Sequence, residues 1–239
     1  MTRPLGEVEL TGSERTLVSD NAVAAIDRAL LAGAPVGLPA DVLLLLEGDA
    51  LYAVRGATFT PVTSLDMTRP LAEVDLDGAD RTLVSDDAAA AIDRALLTGA
   101  GLLAAEQVGL ARWSLETTIA YLKERRQFGR VVGGFQALKH RLADLYAEVE
   151  QADAAARYAA AALAADDPDV PVAVAVAASF CSDVAVHAAE EAVQLHGGLG
   201  MTWEHPAHLH LKRAKADQLV LGTPDQHRAR LAPLIDLTL

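Results

Sequence analysis

The sequence predicts a mainly α protein: an antiparallel helical bundle preceded by a partial β segment. Three observations carry this. From about residue 87 onward, apolar residues recur every three or four positions. Residues 35–86 instead hold short apolar runs separated by turn signals. The helical stretches are long and their connections short, which favours antiparallel neighbours.

The first element is a repeat. Residues 1–34 and 67–100 align without gaps, and 26 of the 34 positions are identical. Two copies are too few for a solenoid, so residues 1–34 read as a duplicated copy of 67–100. Only the second copy leads into a long helix, because the first runs into Pro35-Val36-Gly37. Residues 35–86 then form the partial β domain. Residues 42–46 and 50–54 are strand candidates about the turn Glu47-Gly48-Asp49, and residues 59–62 and 72–76 add two more. These are too few for a closed barrel or sandwich.

Residues 87–239 form the helical bundle. In the first helix Val108, Ala111, Leu115, Ile119 and Leu122 define one apolar stripe. Phe135, Leu138, Leu142, Leu145 and Val149 define the stripe of the second, beyond Gly133-Gly134. Asp166-Asp167-Pro168-Asp169 ends it, because proline cannot continue the hydrogen-bond ladder. Further helices are expected over about 172–195, 206–220 and from 224 to near the end.

Composition excludes several functions. The chain has 239 residues and a net charge of −13, which argues against a nucleic-acid partner. No stretch has the uninterrupted apolar length that a membrane span requires. The first residues lack a basic stretch followed by an apolar core, so no secretion signal is expected. One cysteine, Cys181, rules out an internal disulfide and suits a cytoplasmic location. Cys181 lies among small helical residues and reads as core. His205, His208 and His210 have spacings that fit no common metal site and read as surface histidines.

Two clusters could bind a ligand. Glu124-Arg125-Arg126-Gln127-Phe128-Gly129 is followed by Phe135-Gln136. Phe128 is expected to pack inward and fix Arg125, Gly129 to end the helix, and Gln136 to open the next. An arginine and an amide at a helix corner suit a phosphate and ribityl clamp, although a charged run can equally be a solvated helix end. The second cluster is Gln194-Leu195-His196-Gly197-Gly198-Leu199-Gly200. Its glycines either cap a helix or let a flat or phosphorylated group approach the backbone.

Together these residues resemble a known family. Tyr-Leu-Lys-Glu-Arg-Arg-Gln-Phe-Gly-Arg from Tyr121, then Phe135-Gln136, then Gln-Leu-His-Gly-Gly-Leu-Gly-Met-Thr-Trp-Glu-His-Pro from Gln194, are similar to the C-terminal signature of acyl-CoA dehydrogenases. The resemblance covers roughly residue 72 to the end, and residues 51–70 resemble the end of that family's central β domain.

The resemblance implies FAD shared across a subunit interface and an acyl-CoA substrate. Arg125 and Gln136 would hold the pyrophosphate and neighbouring groups, with Gln127 and Phe128 nearby. Gln194, Gly197 and Gly198 would contact FAD bound mainly to another subunit, and Thr223 would add a further contact. Asp225 replaces the glutamine that usually follows Thr223.

No catalytic residue is assigned. The family removes an α-proton with a carboxylate as hydride leaves for the flavin. Its commonest base position falls on Leu221 and its alternative on Gly99, while Asp93 and Glu106 lie out of register. The helix arginine that meets CoA corresponds to Ala100. The family's N-terminal helical domain, and the β segment beside the flavin ring, have no counterpart in this sequence. Two readings follow. One is a subunit of a heteromeric acyl-CoA dehydrogenase, with a homologous partner supplying the base. The other is a non-catalytic interaction module that keeps the bundle's oligomerising surface.

Overall fold

The computed structural model describes residues 41–237, together with three short strands, β1 (Glu7–Glu9), β2 (Arg15–Leu17) and β3 (Val36–Gly37). The rest of the first repeat copy lies outside the described residues. The chain divides into two compact units, Met1–Leu96 and Leu97–Leu239.

The first unit contains β4 (Leu43–Glu47), β5 (Ala50–Arg55), β6 (Thr58–Val62), β7 (Leu71–Asp75) and β8 (Asp80–Ser85). Two antiparallel sheets form, in the orders β4-β5-β8 and β3-β7-β6. The run Val42-Leu43-Leu44-Leu45 is apolar throughout because β4 is covered on both faces. Leu43, Leu45 and Val54 pack with Phe59 and Val74 on one side. Val42, Leu44, Leu51 and Ala53 meet Ala88, Ile92 and Leu96 on the other. Strand β8 was not expected from the sequence. It is an edge strand whose first four residues are exposed, so the alternation that betrays a half-buried strand is missing.

The two repeat copies use matching strands differently. Glu7–Glu9 and Arg15–Leu17 pair with each other. Their equivalents, 73–75 and 81–83, belong to β7 and β8, which sit in separate sheets.

Helix α1 (Ala89–Glu124) crosses from the first unit into the second. It is followed by α2 (Gln136–Ala165), α3 (Val170–His196), α4 (Ala207–Leu219) and α5 (Pro224–Leu234). Side-chain pairs fix their directions. Gly101 near the start of α1 faces Leu163 near the end of α2 and Val174 near the start of α3. Arg141 at the start of α2 is paired with Glu191 at the end of α3. Hence α1 and α3 run parallel, with α2 opposed to both. Helix α4 opposes α1: His210 stacks on Trp113, Arg213 pairs with Glu106, and Leu221 reaches Gly99.

The core is alanine-rich, which brings the helix axes close. Ala104, Val108, Ala111 and Leu115 of α1 pack with Leu145, Val149, Ala152 and Ala156 of α2 and with Ala177, Cys181, Val184 and Ala188 of α3. Cys181 is fully buried, donates to the Ala152 carbonyl at 3.3 Å, and burial pushes its thiol up to about 12, as an inert core residue requires. Asp166 takes a left-handed conformation (φ 53°) to end α2, and α3 begins at once with Pro171 in its first turn.

By length and composition, residues 170–201 would suffice to cross a membrane, contrary to the sequence expectation. Most of that stretch is buried in the bundle, so its apolar surface is spent on neighbouring helices.

Among the described residues, none before Leu97 belongs to the main bundle core. Deleting residues 1–34 is therefore expected to leave one cooperative unfolding transition for the bundle, shifted by less than about 2 °C. Loss of cooperativity in a calorimetric scan would show that the first copy is structural.

Candidate functional site

The first cluster forms the corner between α1 and α2. Helix α1 stops at Glu124, and a two-residue hairpin follows: β9 (Arg126–Gln127) pairs with β10 (Arg130–Val131). Its turn residues, Phe128 and Gly129, have φ values of 53° and 71°, as a type I′ turn requires. Two expectations are corrected here. Gly129 serves the hairpin and does not end the helix. Phe128 does not pack inward to fix Arg125, because the turn carries it out to 89% exposure, where its ring meets the edge of Phe135.

Arg130, which sequence reasoning passed over, closes the corner. Its guanidinium donates to the Gly134 carbonyl at 2.6 Å and lies 4.5 Å over the Phe135 ring. Arg125 and Gln127 are exposed, and Arg125 is held through its backbone: its N–H donates to Tyr121 and its carbonyl accepts from Val132. Gln136 opens α2 as expected, exposed and 3.3 Å from His140.

The second cluster lies at the same end of the bundle, since α3 ends where α2 begins. Gln194 is exposed. Gly197 has φ 60°, and neither it nor Gly198 has any atom within 4 Å of where a Cβ would stand. The backbone there is open to a ligand. Gly200 differs: a Cβ would fall 2.6 Å from the Val193 carbonyl oxygen, so this glycine is required by packing.

The three histidines are half-buried and not on the surface as expected. Tyr121, His196 and His205 stack at 4.4 and 4.1 Å, and Trp113 stacks on His210 at 3.5 Å. Trp203 lies edge-on to His208 at 4.8 Å. A histidine beside an exposed tryptophan reads as polar surface until the helix pairing is known. Among the described residues, no cluster could hold a metal ion.

The structure leaves Thr223 apart from these two clusters, beyond the far end of α4, a helix of roughly 20 Å. Its hydroxyl accepts from Gln226 N–H while Gln226 Oε1 accepts from Thr223 N–H, a capping box that starts α5.

Just before it, Leu221 and Gly99 come together. Leu221 Cδ1 lies 3.0 Å from where a Cβ on Gly99 would stand. Leu221 holds a left-handed conformation (φ 60°), which a branched side chain tolerates poorly. Leu221 lines a small cavity with Ala100, Leu103, Gln107, Ser182, Asp217 and His227. Those last four polar residues are buried, and burial holds His227 below its ordinary value, with the Arg230 charge acting in the same direction. Glu106, the nearby acid on α1, is engaged by Arg213 at 2.7 Å. Asp217 is thus the carboxylate that lines this cavity, while Leu221 and the Gly99 it covers carry none.

Known proteins align with this arrangement. Residues 89–234 match the family described as "Acyl-CoA dehydrogenase, C-terminal domain". The chain is 41% identical over 192 residues to "Acyl-CoA dehydrogenase IpdE2" of Mycolicibacterium smegmatis, covering 80% of this chain and 58% of that one. It is 43% identical over 209 residues to "Acyl-CoA dehydrogenase FadE34" of Mycobacterium tuberculosis, covering 86% of this chain and 28% of the relative. The chain therefore spans a little over half of one relative and under a third of the other. Among solved structures, the ChsE4-ChsE5 complex from Mycobacterium tuberculosis superposes with a TM-score of 0.73 at 25% identity, covering 98% of this chain and 64% of that one.

Proposed function

Because this chain belongs to the acyl-CoA dehydrogenase family, we propose that it is a subunit of a heteromeric, FAD-dependent enzyme that dehydrogenates an acyl-CoA thioester, with a homologous partner supplying the base. The observation that carries this reading is the corner at Leu221. The surrounding helices keep the family pattern, while both base positions lack a carboxylate and Leu221 occupies the space over Gly99. A fold kept intact around an emptied acid–base position suits a subunit that completes a site on its partner.

The residues present fit FAD. Gly197 and Gly198 leave an open backbone cradle. Arg125 is an exposed cation at the adjoining corner, and the N-terminus of α2, the positive end of its dipole, lies at the same end. In this reading Arg125 and Gln136 bind phosphate and neighbouring groups, and Gln127 and Phe128 border them. Gln194, Gly197 and Gly198 accept the cofactor of the partner subunit. Thr223 orders the far corner through its cap. When bound, FAD supplies the hydride acceptor.

The test is to purify the chain alone and with a co-expressed full-length relative, then record flavin absorbance and acyl-CoA-dependent dye reduction. Yellow, active protein only in the co-purified sample is expected. Colourless protein in both samples would favour the second reading, a non-catalytic interaction module, which the filled corner at Leu221 also fits. Within the co-purified sample, Arg125→Ala is expected to weaken flavin retention about 10- to 100-fold, the worth of a charged hydrogen bond. The melting temperature should stay put because the side chain is exposed. Unchanged retention would remove Arg125 from the site.

A further inference from the structure

The turn at residues 197–206 joins two helices whose facing ends are histidines. His196 closes α3, and His205 stands two residues before α4 begins. Their rings stack at 4.1 Å. The other face of His196 lies on Tyr121 at 4.4 Å, while His205 leads on to Trp113 at 6.3 Å and Trp113 to His210 at 3.5 Å.

The backbone fixes the tautomer of each ring. His196 donates from Nδ1 to the Ala192 carbonyl at 2.7 Å, and its buried Nε2 has no hydrogen-bond partner. His210 donates from Nδ1 to the Pro206 carbonyl at 3.1 Å. His205 does the reverse: its Nδ1 accepts from the N–H of Ala207, the first residue of α4, at 3.2 Å. The N-cap position itself, Pro206, offers no side-chain cap.

We infer that this stack is a proton-operated latch, holding the end of α3 to the start of α4 while its imidazoles are neutral and releasing the turn when His205 is protonated. The lone pair that caps Ala207 is the one a proton would take, so protonation removes the cap acceptor. It also places a cation against the positive end of a helix dipole. The ionisable groups around it are Tyr121 and Glu106 from α1, His196 from α3, Glu204 beside it in the turn, and His208, His210, Lys212 and Arg213 from α4; Lys212 lies over Trp203 and Arg213 is paired with Glu106.

Burial, then repulsion from His196, His210 and His208, holds His205 below its ordinary value of 6.5. Burial lowers His210 as well. A histidine depressed in the folded state binds fewer protons there than in the opened one. The latch's stability is therefore complete above pH 6.5 and is lost as pH falls through the depressed value. The latch stands independently of the flavin reading.

Amide hydrogen exchange of the full chain tests it, compared at about pH 7.5 and about pH 5.5 after correction for intrinsic rates. Protection over residues 197–210 is expected to fall at the acid pH, by at most about tenfold per pH unit from 6.5 down to the folded value and no further below it, while residues 136–165 keep theirs. His205→Asn keeps an acceptor for Ala207 that does not titrate, so its protection should be independent of pH. Undiminished protection of 197–210 in the natural chain overturns the proposal. So does a parallel loss over 136–165, which would be global acid unfolding, or an equal loss in His205→Asn. Should that variant fail to fold, the comparison of the two segments in the natural chain decides alone.

Discussion

Leu221→Glu is expected to raise acyl-CoA-dependent flavin reduction in the co-purified assembly by about 10²- to 10⁴-fold at sites where the partner's base is disabled. The corner is already shaped for a side chain that points at Gly99: Leu221 is held at φ 60°, Gly222 follows at φ 113°, and Thr223 caps the next helix. Glutamate branches one carbon later than leucine and reaches one bond further, into the small cavity that Leu221 lines, so the backbone need not change. Ala100, Leu103 and Val220 would border the new carboxyl with apolar surface, and Asp217 lines the same cavity. Both raise a carboxyl above its usual range, toward the value an α-proton acceptor needs near neutral pH. Activity should accordingly climb with pH through that raised value, since only the ionised form accepts a proton. Leu221→Gln has the same shape without the basicity and should stay inactive. Equal rates for the two variants, with flavin content unchanged, would mean that the corner does not face substrate.

That expectation draws on what was legible in the sequence and on what was not. The 3-4 spacing of Val108, Ala111 and Leu115, and of Leu145 and Val149, marked core faces that are buried in the bundle, because helix periodicity is local. The pairing of Leu221 with Gly99, 122 positions apart, could be named only through the family resemblance, and the packing of one on the other is a tertiary fact. Phe128 was misread because hydrophobicity suggested burial while its place in a two-residue turn decided otherwise. Strand β8 escaped notice because an exposed edge strand needs no apolar alternation. The histidines were misread for a related reason. Their spacing along the chain fits no metal site, but their rings meet partners from α1 and α3, which spacing alone cannot reveal.

Gly200→Ala should cost about 1–3 kcal/mol, the range for overpacking, and more if the end of α3 cannot yield. The added methyl would stand 2.6 Å from the Val193 carbonyl oxygen, 3.0 Å from Val193 Cα and 3.2 Å from His196 Cβ. Two of these atoms are helix backbone, so no rotamer change relieves the clash. The last turn of α3 would have to move, and His196 with it. For a chain of this length, a loss of that size corresponds to a fall of roughly 2–12 °C in melting temperature. The neighbouring glycines give the contrast. Gly197→Ala meets no atom but must hold φ 60° with ψ −139°, a region nearly reserved for glycine, which costs a side-chain-bearing residue about 1–3 kcal/mol. Gly198→Ala meets no atom either, and its φ imposes no such strain, so its stability should change by less than about 0.5 kcal/mol. Denaturant unfolding of the three variants should show larger losses for Gly200→Ala and Gly197→Ala than for Gly198→Ala. Gly198→Ala is then the informative one for function. With the fold unperturbed, a methyl on the open backbone should still lower flavin retention in the co-purified assembly, because close approach to that backbone is what the cradle provides. Full retention there would leave Gly197-Gly198 as a helix terminator and nothing more.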